Sequence, residues 1–113
     1  MIVYVAGPIR PKGTQTLQGN LERAKGIALE LWLGGFAVIC PHANTDLPIE
    51  LAAKEMDEAK WIEGDLELLR KCDAVVVCPG WETSTGTQIE IGFAKGAGIP
   101  VYYYPFTPER KKK

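Results

Sequence analysis

The sequence predicts an α/β fold, a single-domain doubly wound parallel sheet of the flavodoxin/Rossmann-like kind with strand order 2-1-3-4. Three observations predict it. Short runs rich in β-branched and aromatic residues alternate with longer stretches of helical spacing along the 113 residues. The run DAVVVC at 73–78 is apolar without interruption, as suits a strand buried on both faces of a parallel sheet. The two loops richest in Gly, Ser and Thr, GPIRPKG and PGWETSTG, follow the first and third strands. In that strand order they flank the point where the sheet reverses direction, the place where open α/β sheets bind ligands.

Taken in order, IVYVAG (2–7) is a β-rich run that ends at Gly-Pro, and the segment after it is a loop. A helix is expected from about Thr16 to Leu33, with Leu17, Leu21, Ala24, Ala28 and Leu31 on one face, stopped by Gly34-Gly35. FAVIC (36–40) is the second strand, closed by Pro41. Asp46 and Pro48 read as a helix start, with helical sequence to about Lys71 and a possible break near Met56 or Gly64. After the strand at 73–78 and its loop, a helix is expected over about 86–97, then a last strand, IPVYYY (99–104). The domain is assigned to 1–106, with 107–113 as a basic, solvated tail.

Composition narrows the function classes. A net charge of −1 argues against binding a nucleic-acid polymer by bulk electrostatics. No apolar run approaches the roughly 20 residues of a membrane span. The strand-like run starting at Ile2 leaves no room for a signal peptide. Cys40, Cys72 and Cys78 are odd in number and scattered, which fits reduced thiols near the core of a cytoplasmic protein.

Two acids stand out. On a helical wheel Glu90 lies opposite Gln88, on the side that carries Phe93, Ala94 and Ala97. An inward-facing acid is costly unless something uses it. A capping box, Thr87 to Glu90, is an equally good explanation from pattern alone. In WIEGDLELLR, Asp65 falls in the middle of the side defined by Trp61, Ile62, Leu66, Leu68 and Leu69. Two inward acids on neighbouring elements suggest a site, because carboxyls in a partly dry pocket suit nucleophilic or acid-base work at an acetal-like carbon. TSTG before a helix offers hydroxyls and helix N–H groups to a phosphate, and Arg10 in the opposite loop adds a forked cation; a capped helix and a solvated arginine are the plain alternative. TSTGT is similar to the phosphate loop of flavodoxins, but it follows the third strand rather than the first, which argues against FMN. His42 and Trp81 on the same rim are candidate base contacts, against readings as a loop residue and a packed lid. Tyr4, inside the first strand, is expected simply to pack. Tyr102, Tyr103 and Tyr104 in the last strand suit either an interface with a second subunit or ordinary strand propensity.

YVAGPIR, GDLELLRKCDAVVV and STGTQIEIGFAKGAGIPV, in that order over most of the chain, resemble the nucleoside 2-deoxyribosyltransferase superfamily. The match is nearest to its 2′-deoxynucleoside 5′-monophosphate N-glycosidase branch. The resemblance implies that Glu90, in Gly86-x-x-x-Glu90-x-Gly92, attacks C1′ of the sugar, while Asp65 positions it and handles protons. It implies a 5′-phosphate held by Gly7, Ile9, Arg10, Ser84 and Gly86; transferases for free nucleosides tend to carry an Asp where Ser84 stands. Pro8 departs from the family's loop serine and removes one hydroxyl and one N–H. The resemblance further implies a homodimer and no metal or redox cofactor. The expected activity is therefore that of an N-glycosidase or N-deoxyribosyltransferase acting on a (deoxy)nucleoside or its 5′-monophosphate. A non-catalytic nucleotide-binding or sensing module is the alternative.

Overall fold

The computed structural model describes residues 1–9, 13–44 and 58–109. Four parallel strands, β1 (Ile2–Ala6), β2 (Ala37–Ile39), β3 (Ala74–Val77) and β4 (Val101–Tyr103), form one sheet in the order β2-β1-β3-β4. The helices are α1 (Leu17–Leu33), α2 (Glu58–Leu69) and α3 (Thr85–Gly96), with short 3-10 turns at Pro41–Asn44 and Trp81–Thr83. The expected fold class and strand order are those observed.

Strand alternation sorts the core into two layers. Val3, Val5, Val76 and Cys78 face α1, where Ala24, Ile27, Ala28 and Leu31 meet them. Tyr4, Ala6, Val75 and Val77 face the other way, onto Leu69 of α2 and Ile91 and Ala94 of α3. Burying each large apolar side chain of this kind contributes about 1.5–3 kcal/mol. The three C-terminal tyrosines divide between the same layers. Tyr102 and Tyr104 pack on the α1 side and Tyr103 on the other. The Tyr104 hydroxyl donates to Glu30 at 2.9 Å, so much of this aromatic cluster is used within the chain.

Helix ends follow their local chemistry. Thr16 caps α1, its Oγ1 accepting from Gly19 N at 2.9 Å. The end of α1 is a Schellman motif, with Gly35 N–H donating to Trp32 O, Phe36 N–H to Leu31 O, and Gly35 at φ 96°. Gly64 does not break α2, because the helix runs through it. The expected helix start at Asp46 and the break near Met56 lie outside the described residues, as does the tail beyond residue 109. None of the described helices is long and apolar enough to cross a membrane. All three cysteines are buried and free.

Two strands approach closely at the site end of the sheet. Cys78 N–H donates to Ala6 O at 2.7 Å, continuing the β1–β3 ladder to the strand ends. A Cβ on Gly7 would stand 2.7 Å from Cys78 Cβ and 2.9 Å from its Sγ, so only glycine lets the two chains meet there. Gly7→Ala should therefore lose about 1–3 kcal/mol of stability in urea unfolding.

Candidate functional site

The site begins with the cap of α3. Ser84 occupies the N-cap, and its Oγ accepts from Thr87 N at 3.2 Å and from Thr87 Oγ1 at 2.8 Å. The helix thus starts earlier than Thr87, and Glu90 falls in its second turn. The capping-box reading of Glu90 does not hold, since Ser84 performs the capping and Glu90 turns inward. Gly86, in the first turn, has no atom of the described residues where a Cβ would stand, so no packing among them demands glycine there.

Glu90 is 8% exposed. Its Oε2 accepts a hydrogen bond from the hydroxyl of Tyr4, which rises from the middle of β1 and is wholly buried. The other oxygen, Oε1, has no hydrogen-bond partner among the described residues and is not sealed from solvent. Burial pushes the Glu90 carboxyl up to about 8; the Tyr4 hydrogen bond opposes that rise and the nearby Asp65 carboxylate adds to it. Asp65, half-buried on α2, is itself pushed up to about 6 by burial. Tyr4 is held far above the ordinary phenol range, chiefly by burial and then by the two acids, so it remains a donor. Among the described residues no cation pairs with either acid. The arrangement is two carboxyls in electrostatic reach, both raised above the ordinary carboxylate range, and one neutral donor fixing the orientation of Glu90.

Tyr4 is the member that sequence reasoning assigned to packing alone. A signal was available: a tyrosine at the centre of an apolar strand must satisfy its hydroxyl, and alternation puts it on the α3 side with Ala6.

The remaining candidates lie around the same strand ends. Gly7 and Pro8 are buried and Ile9 half-buried. Arg10 lies outside the described residues. His42, 2% exposed, donates through Nε2 to Pro8 O at 3.1 Å, since a carbonyl can only accept. Burial lowers its pKa, and the Pro8 and Gly7 backbone opposes that. Asn20 of α1, 3% exposed, donates through Nδ2 to Ile9 O at 3.2 Å. Trp81 is half-buried and meets Tyr103 with ring centroids 5.1 Å apart at 44°. Gly80 turns the chain before it at φ 90°, with Gln15 Nε2 2.9 Å and Pro8 Cγ 3.6 Å from where its Cβ would be. A separate groove of about 520 Å³ lies at the β2 edge, lined by Leu29, Trp32, Val38 and Leu68 among others, and carries none of the acids.

A family model described as a domain of unknown function, DUF4406, matches residues 1–103. The chain belongs to that family. No curated protein matches it. Among solved structures it is similar to a 2-deoxyribosyltransferase from the psychrotolerant bacterium Bacillus psychrosaccharolyticus. That likeness has a TM-score of 0.63 and 22% identity, and covers 91% of this chain and 71% of that one. It is also similar to a 2-deoxyribosyltransferase from Leishmania mexicana, with a TM-score of 0.61 and 16% identity, over 91% of this chain. The chain spans 63% of the Leishmania protein's length. At these identities the likeness is one of fold, and the family member shares the α/β architecture of those enzymes.

The site predicts a pH signature in stability. Glu90 holds its proton more tightly folded than unfolded, so stability is fullest below about 4.5 and falls as pH rises towards about 8. Glu90→Gln removes that loss. In urea unfolding it should match the parent near pH 4 and exceed it by about 2–4 kcal/mol at pH 9.

Proposed function

We propose that this DUF4406 protein cleaves the N-glycosidic bond of a 2′-deoxynucleoside or its 5′-monophosphate. The observation that carries the reading is Glu90, buried with no cation partner among the described residues, oriented through one oxygen by Tyr4 and accompanied by Asp65. A structural ion-pair residue would have a cation; a helix cap would bond its own backbone. The likeness to deoxyribosyltransferases supports the substrate class.

In the proposed reaction Glu90 Oε1, ionised, attacks C1′ of the sugar. The C1′–N bond breaks, its electron pair leaves with the base, and Asp65 supplies the proton the base takes up. A glycosyl ester on Glu90 results. Water, deprotonated by Asp65, then attacks C1′ and frees Glu90; a second base in place of water gives transfer. Tyr4 keeps Oε2 occupied so that Oε1 is the oxygen presented. Ser84 and Gly86 at the start of α3, Gly7 and Ile9 in the loop after β1, and Arg10, next in sequence, would hold a 5′-phosphate, because helix N–H groups and bare backbone suit an anion. Trp81 remains a candidate base contact. A homodimer completing the pocket belongs to the same reading, as does a cytoplasmic location.

The test is release of free base from a panel of 2′-deoxynucleosides and their monophosphates, read by chromatography. Glu90→Gln should lower the rate by at least about 10³-fold. Because the two acids together must hold one proton, kcat/KM should be bell-shaped, with limbs near about 6 and about 8. Nucleotides that raise the melting temperature while no base is ever released would instead favour a binding or sensing module.

A further inference from the structure

The loop that leaves β1 is tied down by its carbonyls. Pro8 O is taken by Nε2 of His42, and Ile9 O by Nδ2 of Asn20. Both side chains are at least nine-tenths buried, His42 at 2% and Asn20 at 3% exposure. Such buried bonds fix the rotation of the peptide planes they hold. The Pro8–Ile9 peptide is trans, so the Ile9 N–H points opposite to the Pro8 carbonyl. His42 stands in the turn that follows β2, and β1 lies between β2 and β3. A carbonyl held by His42 therefore turns the Ile9 N–H away from His42, and Pro8 itself lies beside Gly80, its Cγ 3.6 Å from where a Gly80 Cβ would stand. That N–H has no partner among the described residues. Pro8 contributes no N–H of its own, so the next donor after that of Gly7 is the N–H of Ile9.

We infer that His42 is a positioning residue: by holding the Pro8 carbonyl, with Asn20 holding that of Ile9, it turns the Ile9 N–H into the crevice as a donor to the phosphate group of the substrate. This deepens the reading above and rests on it for the identity of the ligand. It gives His42 a role through the backbone rather than through contact with the base. A base contact and a backbone role differ in what they do to a probe that has no base.

The experiment is an amide NMR titration of the full chain with inorganic phosphate and, separately, with a 2′-deoxynucleoside 5′-monophosphate. In the parent protein the Ile9 amide should shift saturably with both. His42→Gln, whose side-chain amide nitrogen reaches about as far as the imidazole Nε2, should bind both within about twofold of the parent. His42→Phe should weaken both by roughly five- to tenfold, the loss expected when one such hydrogen bond goes. An Ile9 amide that stays still as phosphate binds, or no phosphate binding at all, overturns the inference. So does a His42→Phe variant weakened towards the nucleotide alone, which is the mark of a base contact. If His42→Phe does not fold, the parent and His42→Gln titrations decide by the same criteria. If Ile9 responds as expected while the protein releases no base from any nucleotide, the positioning role stands and the glycosidase reading falls.

Discussion

Between the sheet and α3, a carboxyl sits in a largely apolar layer with a tyrosine hydroxyl as its hydrogen-bond partner. Desolvation raises the free energy of the ionised Glu90 more than the Tyr4 bond lowers it, which is why the net displacement of its pKa is upward. A chain selected only for stability would place a leucine there. The surrounding geometry follows from keeping the acid oriented. Tyr4 must stand at the centre of β1, where Ile39 and Val75 flank it in register. The helix must be capped at Ser84 so that Glu90, in its second turn, comes round to the hydroxyl. The resulting contact also ties α3 to the strand at the middle of the sheet.

The two acids act on each other because α2 packs along α3 on the same face. Neither is neutralised by a cation among the described residues, so the pair responds to protons in the range where catalytic groups must titrate. The opposite face contributes differently. There α1 and the turn after β2 supply buried donors, Asn20 and His42, that grip the loop after β1. The sheet thus separates a layer that carries the charge from a layer that holds the frame.

Much of this was legible in the sequence because its causes are local or periodic. Val75 to Val77 carry no polar residue and so had to be a central strand; Gly34-Gly35 had to end a helix. The inward faces of Asp65 and Glu90 followed from helical phase alone. The choice for Glu90 between a cap and a site depended on which residue capped α3, and Thr87 and Ser84 both satisfy the local pattern. The partner of Tyr4 is 86 residues away, a separation at which local pattern carries no pairing information. The same holds for His42 on Pro8, 34 residues apart, which reads in sequence as a histidine in a loop.

Under the proposed reaction Oε1 of Glu90, the oxygen that Tyr4 does not bond, forms the bond to the sugar. Acid-quenching the protein during turnover of a 2′-deoxynucleoside 5′-monophosphate and mapping its peptides by mass spectrometry tests this directly. The peptide that contains Glu90 should carry the mass of the sugar phosphate, and the same peptide of Glu90→Gln should carry none. Base released with that peptide unmodified and the sugar carried by another residue would contradict it.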